Sequence, residues 1–242
     1  MTTACTSGFS AFALEPFGEL RPGDDLSYAI ADVLTRTRTT LHGGDIVVVA
    51  SKVVSIAEKR YVDLTRVIPS PDAVDIAART GEPAEMVQLM LENSTRYFLV
   101  TERGPIIAWH TLGFQLVLAG INRAGTDGAW LLPRDPDASA VALRNALIRS
   151  TGVEVAVVIA DSDGRADRRG TTVISIGAAG ITPLRTTEYK GKREEETLTD
   201  MIAAAAGIVL GQRGRGVPVA VLRGITYTRS NEGVAALLHQ QP

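Results

Sequence analysis

Three short runs leave this chain few ways to fold: Ile46-Val47-Val48-Val49-Ala50, the stretch Val153 to Ala160, and Val217 to Leu222. Apart from Glu154 they are apolar at successive positions, and the first is β-branched throughout its centre. Side chains in a strand alternate between the two faces, so such runs predict strands buried on both sides. Helices must then cover the sheet. The spacing supplies them: Leu26 to about Thr37, with Leu26, Ile30, Val33 and Leu34 on one face, behind an Arg21-Pro22-Gly23-Asp24-Asp25 turn and N-cap. Further helices are expected at Pro71 to Thr80 with Val74, Ala77 and Ala78 inward, and at Pro83 to Asn93 with Met86, Leu89 and Met90 inward. Two more are expected from Asp137 to Ser150 and from Leu198 to Leu210.

The middle of the chain is β-rich, at Tyr97 to Thr101, Ile106 to His110 and Phe114 to Ala119; Thr171 to Ile176 resembles another strand. Residues 121–129 read as a loop, residues 186–197 as an exposed and mobile charged segment, and residues 1–10 as a disordered tail before Ala11 to Leu14. Strands and helices alternate irregularly, which predicts a mixed α/β or α+β fold rather than a doubly wound sheet, with a weak boundary near residue 125.

A net charge of -2 gives no electrostatic reason to bind nucleic acid or an anionic membrane. Cys5 is the single cysteine, so an intrachain disulfide and four-thiolate zinc sites are excluded. No stretch approaches membrane-spanning length, and the expected compartment is the cytoplasm. His42, His110 and His239 show no ligand spacing.

Three loops have the residue types for chemistry. The strand end Ala50-Ser51-Lys52, with the early loop Phe17-Gly18-Glu19-Leu20, offers a hydroxyl and an ammonium to a phosphate. Lys52 is equally well explained as the first solvated residue after a strand. The second loop, Asp161-Ser162-Asp163-Gly164-Arg165, has carboxylate and hydroxyl oxygens that suit a hard cation and is followed by Arg168 and Arg169. It also fits a polar hairpin turn. The third, Gly211-Gln212-Arg213-Gly214-Arg215-Gly216, packs three glycines and two arginines into six residues. A helix C-cap accounts for Gly211, whereas the rest would let backbone approach a polyphosphate closely.

Taken in order, these loops resemble the F420-0:γ-glutamyl ligases, most nearly the ligase half of the actinobacterial bifunctional form. Carrying the resemblance are Phe17 to Leu26, Gly44-Asp45 through Ser51-Lys52 to Ser55, Ala57-Glu58, Leu131 to Ala140, Asp161 to Arg165, Ile176 to Ile181, and Gly211-Gln212 with Gly216-Val217-Pro218. The resemblance implies a two-part α+β fold assembled as an intertwined homodimer. It implies GTP held by Phe17, Gly18, Glu19, Leu20, Ser51, Lys52, Gly211, Gln212, Gly214 and Gly216, and Mg²⁺ or Mn²⁺ among Asn122, Asp161, Ser162 and Gln212. Asp161 and Arg165 are the implied catalytic pair. The implied reaction activates an F420-0-like carboxylate with GTP for attack by the amine of L-glutamate.

The chain also departs from the family pattern. Asn122 stands where the family has a metal-binding aspartate, Gly125 where it has an asparagine, and Ile56 where it has a lysine, with Lys59 nearby. Three readings stay open: the ligase itself, a paralogue joining other substrates in specialised metabolism, and a silent homologue that binds a nucleotide or partner.

Overall fold

The computed structural model describes residues 8–101, 104–211 and 216–239. In chain order the elements are β1 (Ser10–Ala13), α1 (Leu26–Arg36), β2 (Ile46–Ala50), α2 (Ser51–Ala57), β3 (Tyr61–Asp63), α3 (Pro71–Thr80), α4 (Ala84–Glu92), β4 (Ser94–Leu99), β5 (Ile106–His110) and β6 (Gln115–Val117). They continue with β7 (Asn122–Ala124), β8 (Gly128–Trp130), α5 (Pro136–Thr151), β9 (Ala156–Gly164), β10 (Thr171–Ala179), β11 (Leu184–Tyr189), β12 (Lys192–Thr197), α6 (Leu198–Gly207) and β13 (Val219–Arg223).

The three apolar runs become the centre of one five-stranded sheet, ordered β1-β13-β2-β9-β10. Ile46 to Val49 and Ala156 to Ala160 are buried at every position, as strands covered on both faces must be. Helices α5 and α6 pack on this sheet, and α1 packs on α5. Only β2 and β9 run parallel; the other three pairings are antiparallel. The sheet is therefore mixed, in line with the expected α/β class.

Helix boundaries follow local chemistry. Asp25 caps α1 by accepting from the backbone N–H of Ser27 and Tyr28, and Ser70 and Asp135 cap α3 and α5 in the same way. Gly81 and Gly152 end those two helices in the left-handed conformation. A second apolar cluster forms from Leu64, Ile76, Met86, Met90, Ile106, Ala119 and Ala129. It lies among α3, α4 and two three-stranded sheets, β3-β8-β7 and β4-β5-β6.

Several expectations are corrected. Residues 121–129 form the β7–β8 hairpin rather than a loop, because Asn122 to Ala124 pair with Gly128 to Trp130. The charged segment 186–197 is an ordered hairpin, β11–β12, along which Arg185 meets Glu196, Lys192 meets Glu194 and Arg193 meets Glu195. Alternating charges compensate one another across and along the two strands, which a count of charge density does not reveal.

Helix α3 buries Ala73 and Ile76, whereas Val74 is 52% exposed and Ala78 is exposed. The apolar residues on that helix outnumber one face, so its spacing leaves two rotations open. Ser10, placed in the disordered tail, pairs with Arg223 in β1; residues 1–7, including Cys5, lie outside the described residues. Helix α6 stops at Gly207 instead of Leu210.

Candidate active site

The parallel pair β2 and β9 ends in register at Ala50 and Ala160, so Ser51 and Asp161 emerge side by side at the carboxyl edge of the sheet. Ligands in open sheets bind at this edge, next to strand ends whose backbone is no longer paired. Antiparallel β13 begins at the same edge, where Ala50 donates its backbone N–H to Pro218 and Gly211 to Val217. The chain leaving β1 also passes here. The result is a cleft of about 1210 Å³.

Its lining gathers most of the residues expected from sequence. Phe17, Gly18, Glu19, Leu20, Lys52, Asn122, Asp161, Ser162, Gly211 and Gly216 all border it. Ser51 lies just beneath, 2% exposed, and donates its hydroxyl to Asp161 Oδ1 at 2.6 Å. Arg165 is not brought in; its Nε bonds Asp167 Oδ1 at 3.0 Å. Gln212 and Gly214 lie outside the described residues. The local form of the second loop is also corrected: Asp161 to Gly164 are the last residues of β9, paired with Thr171 to Ile174, not a turn. The polar side chains hid a strand that runs on past the apolar core.

Other lining residues carried weaker signals. Arg21 and Arg123 are cationic, and Arg123 pairs with Glu82 at 2.8 Å, both at the cleft. Leu118, Gly120 and Ile121 form a wall in which Leu118, Ala119 and Gly120 are successively left-handed, with φ of 49°, 52° and 71°. Left-handed backbone costs a non-glycine residue about 1–2 kcal/mol, and such strain concentrates at binding sites. Ile56 also borders the cleft, whereas Lys59 packs its side chain against Gly23 and is not part of the lining.

The electrostatics separate structural acids from those without partners. Asp45 is 1% exposed, but Arg223 meets both its oxygens, at 2.8 and 2.7 Å. Asp137 accepts the backbone N–H of Ala178, Val234 and Ala235, tying α5 to β10 and to the chain after β13. Glu58 receives Ser139 and the backbone N–H of Arg134. The Leu131 to Ala140 and Ala57-Glu58 motifs therefore brace the fold. Asp161 differs: its Oδ2 is buried with no hydrogen-bond partner among the described residues, as is Asp163 Oδ1. Burial pushes both carboxyls up to about 6, and the hydrogen bond from Ser51 only partly offsets this for Asp161.

The donor set fits a hard divalent cation. Asp161, Ser162 and Asn122 border the cleft and carry side-chain oxygens of the kind such an ion takes. Among the described residues no group of three or more His, Cys, Asp and Glu could hold a metal. His110, by contrast, is buried in the second cluster's sheet. Desolvation and the nearby Arg60 lower its pKa to about 4, and its Nδ1 accepts from the Leu112 backbone. It is a structural group.

Comparison with known proteins bears on this site. Residues 16–224 match the family described as F420-0:Gamma-glutamyl ligase. The coenzyme F420:L-glutamate ligase of Methanothermobacter thermautotrophicus is 37% identical over 244 residues, covering 96% of each chain. That of Archaeoglobus fulgidus is 36% identical over 88% of this chain and 87% of its own, and that of Methanosarcina acetivorans 34% over 90% and 87%. The matched span runs from the early loop through the strand ends to β13 and so contains every wall of the cleft described above. This chain belongs to the F420-0:γ-glutamyl ligase family and is a ligase.

Proposed function

We propose that this chain forms an amide bond between a carboxylate of an F420-0-like acceptor and the amine of L-glutamate, using GTP and Mg²⁺ or Mn²⁺. The observation that carries this reading is the convergence at one sheet edge of a lysine, glycine-flanked backbone and a buried carboxylate with one oxygen unpartnered among the described residues. Lys52 supplies positive charge for the phosphates, and backbone at Gly18, Gly211 and Gly216 allows close approach. Arg21 adds a second cationic group.

An acceptor carboxylate attacks the γ-phosphorus of GTP, so that a carbon-bound oxygen gains the phosphoryl group and GDP leaves. The amine of L-glutamate then attacks the acyl carbon, expelling inorganic phosphate and releasing a proton. Positioning and charge neutralisation supply most of the acceleration in such transfers. Asp161, Ser162 and Asn122 would hold the cation, whose chemistry is to neutralise phosphate oxygens. Ser51 fixes the rotamer of Asp161 through their 2.6 Å hydrogen bond. The apolar wall of Leu20, Leu118 and Ile121 limits water access, which protects an activated acyl group from hydrolysis. Family membership also supports a homodimer as the working form.

A thermal-shift series with GTP, ATP and Mn²⁺ tests the ligand reading. Stabilisation by GTP that requires Mn²⁺ is expected, amounting to about 2.7 kcal/mol at 100-fold excess over Kd. Phosphate release dependent on both F420-0 and L-glutamate completes the test. No response to either nucleotide, with or without metal, would overturn it.

A further inference from the structure

Strand β9 continues past the end of β2, and its extension places Asp161 and Asp163 two positions apart. Residues so spaced project from the same face of a strand. Asp161 is 5% exposed, with Oδ1 occupied by Ser51 and Oδ2 buried and unpartnered. Asp163 is half-buried beside the Val117 backbone, and its Oδ1 is likewise buried without a partner. Arg165, the nearest guanidinium in sequence, bonds Asp167 instead.

Leaving a buried acceptor unsatisfied costs about 1–3 kcal/mol, and more for a charged one. Two such oxygens on one strand face also repel each other, the charge of Asp163 opposing ionisation of Asp161. At buried Asp45 and half-buried Asp137 this same fold supplies the carboxylate with several donors. The exception therefore marks a place that the described residues leave incomplete. Asn122, which also borders the cleft, is neutral and spends its Nδ2 on the Gly120 carbonyl.

From these positions we infer that Asp163 is a second carboxylate ligand, and that a divalent, oxygen-preferring cation is held between Asp161 and Asp163. The inference rests on the cation-dependent reading above and specifies which side chains supply the charge. Asp163 is then a binding residue rather than the tip of a turn, and two negative charges come from a single strand.

The test measures Mn²⁺ binding by calorimetry, and by loss of the free-ion paramagnetic resonance signal, with GTP present and no acceptor. Asp163→Asn keeps the shape and a carbonyl acceptor beside Val117 and removes only the charge; thermal melts check that it folds. It is expected to bind Mn²⁺ at least about tenfold more weakly, on the scale seen when groups supporting a metal are removed. Asp163→Glu, which keeps the charge, should recover part of the affinity. If Asp163→Asn binds Mn²⁺ within twofold of the unmodified chain while Asp161→Asn does not bind it, Asp163 is no ligand and the cation-dependent reading stands. If the unmodified chain itself takes up no Mn²⁺ with GTP present, that reading fails and this inference with it. Tighter binding by Asp163→Asn would point to a carboxyl pair sharing a proton and would also overturn the proposal.

Discussion

The carboxyl of Asp161 is ionised only against the resistance of its surroundings, and this has a measurable consequence for the metal-free chain. Its pKa stands at about 6 in the folded state against an ordinary 3.8, with burial as the leading cause. Below about pH 4 both folded and unfolded chains hold the proton, and the group contributes nothing to pH dependence. Between pH 4 and 6 the unfolded chain loses its proton first, so stability falls as pH rises and levels off above 6. The full penalty is on the order of 3 kcal/mol. In EDTA, Asp161→Asn should therefore be more stable than the unmodified chain at pH 8 by about 2 kcal/mol, with the gap closing near pH 4. Urea denaturation at the two pH values measures this, and equal stability at pH 8 would contradict it. The same variant should lose Mn²⁺-dependent binding of GTP. Stability gained and function lost at one position is the behaviour of a group kept for a ligand.

Among the elements, the segment joining β6 to β7 carries the most stored strain at the cleft. Leu118, Ala119 and Gly120 are all left-handed, and a Cβ on Gly120 would stand 2.9 Å from Leu116 Cδ1 and Leu132 Cδ2. Gly120→Ala adds about 1–2 kcal/mol of backbone cost and further crowding in a packed wall. The expected outcome is destabilisation of about 2–3 kcal/mol with weakened GTP binding, since the next residues, Ile121 and Asn122, face the cleft. Chemical denaturation and nucleotide titration check both. This stretch read as the end of a strand and the start of a loop because its strain is not written in residue type; only Gly120 signals it. Long elements were legible for the opposite reason. Helices α1 and α5 have a capping aspartate in the sequence, at Asp25 and Asp135, and α5 also has Gly152 at its end.

For the whole molecule, stability should be unevenly shared. The central strands β2, β9 and β13 are buried on both faces, whereas β11 and β12 pair only with each other and are largely exposed. An isolated two-stranded hairpin is marginal in water. Amides of 184–197 should exchange with deuterium through local opening, orders of magnitude faster than those of 46–50 and 156–160, which await global unfolding. Mass spectrometry of exchanged peptides would reveal comparable protection if the hairpin were docked elsewhere. No helix among the described residues is long and apolar enough to cross a membrane. Sequence alone determined that three apolar runs would be internal strands, where the main helices would start, and which loops hold residue types suited to a phosphate or a cation. Burial and capping are local demands, and a chain must meet them with residues that can be read in place. Tertiary structure alone decided that β2 and β9 lie parallel and in register, which sets Ser51 against Asp161 across 110 positions of chain. It also decided that Asp161 to Gly164 would extend a strand, and that Arg165 would turn away from the cleft. Those outcomes depend on which neighbours share the sheet edge, and long-range pairing leaves no periodic mark on the residues that take part in it.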